Sequence, residues 1–335
     1  MIDHLPQLRI GPIRLDVPVV LAPLSGYTDL AYRTICRQLG APYCATEMML
    51  DRLVLLPGKL RRRLIHTDAQ DHPVAAQIAG NDPAVMATSA AELAAAGFDV
   101  VEINMACPVR KVLARRRGGY MLKEPALAAG IIAAVADALA GQTPLTVKLR
   151  MGFDGDAGSD GFWRIVQAAF DAGAAAVCVH ARTVAQRYTG RADWELLAEV
   201  KQRFGERTII GSGDVTDAPT AMAMIRQTGV DGVAFARAAI GNPWIFEQFR
   251  DHIAGRTPRR PGLAQQRQVM QRHFDQALEL YGPRRGARHM IKFGIKYSRL
   301  HPTPAKVRAA FVAARSAAQW QHVLEKFYAC GDDEA

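Results

Sequence analysis

Eight short β-rich runs, each with room for one helix before the next, constrain this chain more than any other feature. The runs are Val17–Leu21, Tyr43–Thr46, Val74–Ile78, Val100–Asn104, Leu145–Leu149, Ala175–His180, Thr208–Gly211 and Gly232–Ala236. They start roughly 25 to 45 residues apart, enough for a strand, a crossover helix and two loops. The intervening helices include Asp29–Leu39, Pro83–Ala96 and Pro219–Gln227, the last preceded by Thr216-Asp217, a helix-start signal. Eight alternating units predict an α/β chain folded as a (β/α)8 TIM barrel, with its chemistry on the loops leaving the strands' C-terminal ends. Leu8–Ile13, with Gly11-Pro12 in it, is expected to form a hairpin closing the barrel bottom.

The barrel is expected to end with the helix Trp244–Ile253, so that residues 1–254 form the catalytic domain. The Pro-, Gly- and Arg-rich segment 255–262 reads as a linker, and residues 263–330 follow with a purely helical pattern. Residues 331–335 read as a frayed tail. No stretch approaches the roughly 20 apolar residues that span a bilayer, and the start of the chain lacks a signal-peptide pattern. The five cysteines are odd in number and form no C-x-x-C, which speaks against a disulfide framework or a zinc site. A reduced, cytoplasmic protein away from membranes is the expectation. Of the net charge of +10, residues 256–335 carry +9, with 15 Lys/Arg against 6 Asp/Glu. Such asymmetry points to a polyanion partner or to a plain solvated surface.

Asn104-Met105-Ala106-Cys107-Pro108 leaves the fourth run and puts a cysteine among polar groups, which marks Cys107 as a reagent rather than a core residue. The first run ends in Ala22-Pro23-Leu24-Ser25-Gly26, a tight turn exposing backbone groups. The third delivers Gln77, and the fifth Lys148, whose burial needs an anionic or polar partner. His180 and Arg182 share the sixth loop and suggest an anion pocket, while Gly211-Ser212-Gly213-Asp214 and Ala236-Arg237 occupy the usual phosphate end of such barrels. A Gln, a Lys and a phosphate site around one mouth suit flavin mononucleotide (FMN), the Lys stabilising charge that accumulates on reduction. No G-x-G-x-x-G occurs, so a resident NAD(P) domain is not expected.

Taken together, these motifs resemble the tRNA-dihydrouridine synthases, the bacterial branch in particular. The stretches that carry the resemblance are Ala22–Asp29, Thr46-Glu-Met48, Gln77–Gly80, Asn104–Pro108, Lys111-Val112, Val147–Arg150, His180–Thr183, Gly213–Asp217, Arg237–Phe246 and Arg288–Lys292. The resemblance implies FMN contacts at Pro23, Leu24, Ser25, Gln77, Lys148, His180, Ser212, Gly213, Asp214, Ala236 and Arg237. Leu24 stands where the family commonly has Met, Ser212 where it has Asn, and Ala236 and Ala106 where it has Gly. A Ser hydroxyl cannot reproduce an Asn amide's bonding, so Ser212 departs most. The implied reaction saturates C5–C6 of a D-loop uridine in tRNA, with NADPH as transient reductant and Cys107 donating the proton to C5.

Asn104 and Arg182, with His180, are the candidates for holding the uracil carbonyls. For the RNA, a helix drawn through Pro283–Leu300 brings Arg285, Arg288, Lys292, Lys296 and Arg299 within roughly 80° of one another, with no acid on that face. Arg115-Arg116-Arg117 is a second candidate contact or a plain exposed run. A monomer is expected. Two other readings fit parts of the pattern: an FMN barrel acting on a small pyrimidine or orotate-like substrate, which leaves the basic C-terminal region idle, and a non-catalytic RNA-binding protein, which leaves Cys107, Lys148 and Gln77 unexplained. The modified D-loop position is expected near 16 and 17, by the same resemblance.

Overall fold

The computed structural model describes residues 5–155 and 157–329. All eight expected runs form parallel strands: β1 (Val19–Leu21), β2 (Cys44–Ala45), β3 (Val74–Ala79), β4 (Val100–Met105), β5 (Leu145–Arg150), β6 (Ala176–His180), β7 (Ile209–Ser212) and β8 (Gly232–Phe235). Each pairs with its successor, and β8 returns to β1 through Val233 opposite Val19 and Phe235 opposite Leu21, which closes the barrel. The strands read as near-continuous apolar runs because one face meets the interior and the other the helical ring. β2 is shorter than its run, and a further short strand, Met49–Leu50, pairs with the end of β3.

Below the mouth, Val20, Tyr43, Ala75, Val100, Ala176, Cys178, Ile210 and Ala234 fill the barrel and leave it a packed core. The N-terminal hairpin forms as expected, Arg9–Ile10 against Ile13–Arg14, with Gly11 at φ +58° in its turn. It plugs the bottom: a Cβ on Gly232 would lie 2.5 Å from Leu8 Cδ2. The helix expected after Thr216-Asp217 runs Ala218–Thr228, and Asp217 and Thr220 make a reciprocal capping box.

The barrel's last helix ends at Ile253 and the next begins at Leu263, either side of the Pro/Arg-rich segment. Four helices follow: Leu263–Tyr281, Pro283–Tyr297, Pro304–Ala313 and Ala317–Phe327. Trp320 is their centre, stacked on Phe274 at 4.3 Å and donating its indole N–H to the Met290 carbonyl at 3.1 Å. Gly294 lets the helices close around it, since a Cβ there would sit 2.4 Å from the Phe311 ring. Phe293 docks this bundle on the barrel, 5.0 Å from the Tyr32 ring and 5.4 Å from that of Tyr27. The frayed tail expected at 331–335 lies outside the described residues. Among those described, no helix is long and apolar enough to cross a membrane.

Candidate active site

The site begins where β4 ends. Asn104 turns its amide oxygen on the loop that follows, accepting from the backbone N–H of Ala106 at 3.1 Å and of Cys107 at 2.9 Å. Its amide nitrogen donates to Gln77 Oε1 at 2.8 Å, and Gln77 Nε2 donates to Glu102 Oε1 at 2.7 Å. A buried polar chain thus runs across β3 and β4 and ends on the cysteine loop. From β5, Arg150 donates through Nε to the Ala106 carbonyl at 2.9 Å, and through Nη1 to the carbonyls of Thr183 and Arg187, both at 2.8 Å. One guanidinium therefore ties the cysteine loop to the loop after β6. On the far side Gly119 donates to the Cys107 carbonyl at 3.1 Å. Gly118, at φ +59°, leaves no room for a Cβ, which would stand 2.9 Å from that of Cys107.

Cys107 is half-buried at the mouth. Burial pushes its thiol up, and neither the Val109 backbone nor Arg150 offsets that. It is a protonated thiol at neutral pH, suited to giving up a proton.

Cations crowd the mouth. Lys148 is buried and donates to Cys178 Sγ at 3.1 Å, a weak acceptor that leaves most of the ammonium's capacity unused. Glu102, pushed up by burial and pulled down by Lys148, is the carboxylate inside the mouth. His180 Nδ1 lies 3.1 Å from Ser212 Oγ, while its Nε2 is buried without a partner. Burial first, then Arg150 and Lys148, hold the His180 imidazole neutral down to about 2. Burial with neighbouring guanidiniums likewise lowers Arg150 to about 10. Tyr188, half-exposed, lies between the guanidiniums of Arg150 and Arg237, at 5.6 and 4.7 Å from its ring centre.

Arg182 turns part of its guanidinium onto its own loop and the loop after β7. It is buried, donates to the carbonyls of Thr189 at 3.1 Å and Gly190 at 2.7 Å, and pairs with Asp214. Asp214, at φ +56°, also accepts from the Ala192 N–H at 2.7 Å. Its carboxylate thus organises two loops, and Arg182 holds it below the usual carboxylate range against the opposing effect of burial. Gly213, at φ +124°, brings the backbone close, since a Cβ there would lie 2.9 Å from that of Ala192. Two strands along the rim, after β1, Pro23, Leu24 and Ser25 form an accessible turn, pinned where Leu24 N–H donates to Thr28 Oγ1 at 3.0 Å.

The family model described as "Dihydrouridine synthase (Dus)" matches residues 20–329. The chain belongs to the dihydrouridine synthase family. It is 36% identical over 307 residues to the tRNA-dihydrouridine synthase B of Pseudomonas aeruginosa, covering 91% of this chain and 90% of that protein. It is 34% identical over 337 residues to a probable tRNA-dihydrouridine synthase of Mycobacterium tuberculosis, covering 96% and 85%. Among solved structures it is similar to histamine dehydrogenase from Rhizobium sp. 4-9, with a TM-score of 0.59 at 15% identity over 82% of this chain and 51% of that one. Morphinone reductase in complex with tetrahydroNAD gives a TM-score of 0.52 at 17% identity, over 76% and 92%. Both likenesses carry the barrel fold alone.

Several polar residues singled out by spacing have internal partners. Asn104 has both ends of its amide engaged, the nitrogen on Gln77 and the oxygen on the backbone of the cysteine loop. Arg182 is likewise committed to Asp214 and the 189–190 carbonyls. Of the basic helix face, Arg285, Arg288, Lys296 and Arg299 are exposed. Lys292 is not: it is half-buried and donates to the Gly26 carbonyl. Arg299 also donates inward, to the Ala238 carbonyl. The Arg115–Arg117 run divides too, since Arg117 is buried 3.4 Å from Asp51 and Arg116 is paired with Glu124. Glu102 and Arg150, hydrogen-bonded to Gln77 and to the cysteine loop, were not singled out by spacing.

Proposed function

We propose that this protein reduces the C5–C6 double bond of a D-loop uridine in tRNA to 5,6-dihydrouridine, using FMN reduced by NADPH. The observation that carries this reading is the neutral Cys107 thiol, on a loop whose backbone Asn104 and Arg150 fix at the rim of a cation-rich barrel mouth. The residues present fit an anionic, hydrogen-bonding cofactor. Lys148 has ammonium capacity to spare, and His180 Nε2 and Arg182 Nη1 are buried without partners. Gln77 and Lys148 would hold the ring's polar edge, the Pro23–Ser25 turn its flank, and His180, Ser212, Gly213, Ala236 and Arg237 the phosphate-bearing side, with Asp214 setting that loop.

When bound, FMN would pass a hydride to C6 of the uracil. Cys107 then donates its proton to C5, which quenches the enolate left on the ring. Arg150 keeps the thiol in register by holding the carbonyl of the preceding residue. Because the acid form is the working one and the thiol pKa is raised, turnover should hold through neutral pH. It should fall only as pH rises through that raised value, and a pH profile of product formation checks this. A rate that instead climbs with thiolate formation would point to nucleophilic attack.

The uridine must leave its stack to reach the mouth, which requires binding energy from elsewhere on the RNA. Arg285, Arg288, Lys296 and Arg299, exposed on the C-terminal helices, are the groups assigned to it. Replacing Arg288 or Lys296 by Gln should weaken tRNA binding across sequences and reduce the salt slope of binding by about 1 each. A titration at several salt concentrations measures it. The reading places the enzyme in the cytoplasm as a monomer. Flavin turnover with tRNA but not with free uracil or orotate is the expected result; turnover with the free bases would favour a small-pyrimidine oxidoreductase.

A further inference from the structure

We propose that the helical domain is itself part of the flavin site: Lys292 and Glu47 are positioning residues that clamp Gly26 through the peptides on either side of it and so hold the Pro23–Ser25 turn in its cofactor-receiving shape. This rests on the FMN reading above. Both polar groups of a single residue, Gly26, are taken by side chains from different parts of the fold. Its N–H donates to Glu47 Oε1, from the loop after β2, and its carbonyl accepts from Lys292 Nζ, from the Pro283–Tyr297 helix. Gly26 itself is at φ +83°, and a Cβ there would lie 3.2 Å from Lys292 Nζ.

The contact belongs to a wider seam. The Lys292 ammonium lies 4.9 Å from the centre of the Tyr27 ring and 5.5 Å from that of Phe293. Three residues past Gly26, Asp29 accepts from Tyr281 Oη at 2.8 Å and lies 2.7 Å from His289 Nε2. Burial alone would raise Asp29, yet His289 brings it down to about 2. Tyr281, His289 and Lys292 of the helical domain thus all engage residues 26–29, directly after the turn. A lysine serving RNA would keep its ammonium in water, as Arg288 and Lys296 remain exposed. Lys292 has given up that freedom for a backbone carbonyl at the barrel rim.

The test compares wild-type protein with Lys292→Gln, Lys292→Arg, Glu47→Gln, the double Lys292→Gln/Glu47→Gln variant, and Arg288→Gln. FMN affinity of the flavin-stripped proteins is measured by quenching of flavin fluorescence, alongside their melting temperatures and the salt dependence of tRNA binding. Lys292→Gln and Glu47→Gln should each weaken FMN binding by about tenfold, the scale of one charge-assisted hydrogen bond. The double variant should fall short of the product of the two single effects, since both act on one residue. Lys292→Arg should restore most of the affinity. The tRNA salt slope should change in Arg288→Gln only. FMN affinity within about twofold of wild type in both single variants would overturn the proposal. So would a lower salt slope with intact FMN affinity in Lys292→Gln, which would return that residue to the RNA face. Should Lys292→Gln not fold, the FMN affinity of Glu47→Gln, which preserves side-chain volume, decides: a loss of about tenfold supports the clamp, and a value within about twofold of wild type overturns it. Wild-type protein that binds no FMN would instead remove the functional reading on which the clamp rests.

Discussion

Replacing Cys107 by Ala should cut dihydrouridine formation by at least about 100-fold, the lower range for loss of a positioned general acid. The same variant should keep bound flavin and its oxidation of NADPH. The separation follows from where the thiol sits. Cys107 contributes its backbone to the loop architecture through the Asn104 and Gly119 contacts, and those contacts survive truncation of the side chain. None of the groups assigned to the cofactor touches the thiol: Lys148 bonds Cys178, and His180 faces Ser212. Parallel measurement of product and of NADPH oxidation reads both halves. Loss of both together would make Cys107 a structural residue, and retention of both would remove it from the reaction.

Arg150→Met should be the more damaging change for the protein as a whole. The side chain is buried, and its donors serve the carbonyls of Ala106, Thr183 and Arg187 on two loops. Met fills similar volume but offers no donor, leaving three acceptors without it, two of them on the buried residues Ala106 and Thr183. Loss of stability should be about 3 kcal/mol, given roughly 1–3 kcal/mol per charge-assisted bond and partial rescue by water. In activity, displacing the Ala106–Cys107 peptide by even 1 Å should cost about 100-fold in kcat, beyond any effect on folding. Thermal melts and kcat on the folded fraction separate the two. Lys at this position should recover little, because one ammonium cannot span three carbonyls on two loops.

The barrel was legible because fully buried parallel strands must be continuously apolar, and runs such as Val74–Ile78 and Leu145–Leu149 have few other homes. β2 came out shorter than its run because Tyr43 and Thr46 lie outside its strand, and Met49–Leu50 was too brief to register. Sequence position also placed Cys107 just past β4 and His180 at the end of β6, while Gln77 and Lys148 lie within β3 and β5, two residues before their ends. What spacing does not carry is the direction of a polar tip. Asn104 and Arg182 sit at the rim, yet their partners come from distant segments: Gln77 on β3 and Asp214 after β7. Lys292 shares its helix face with Arg288 and Lys296, but the approach of Gly26 from the other end of the chain decides where its ammonium goes. Arg117 was hidden in a basic run for the same reason, since its partner Asp51 lies far back in the sequence. Glu102 and Arg150 were findable: each is a charge inside an apolar strand, the argument that singled out Lys148.

The most direct test of the central claim, that a protonated Cys107 supplies the C5 proton, is a single-turnover experiment across pH. Pre-reduced enzyme is mixed with unmodified tRNA, and tRNA-dependent flavin reoxidation is followed from pH 6 to 11. The account predicts a plateau that falls only above the ordinary thiol range, with the residual rate of Cys107→Ala lower and flat. A wild-type rate that rises as the thiol ionises, or one matched by Cys107→Ala, would contradict it.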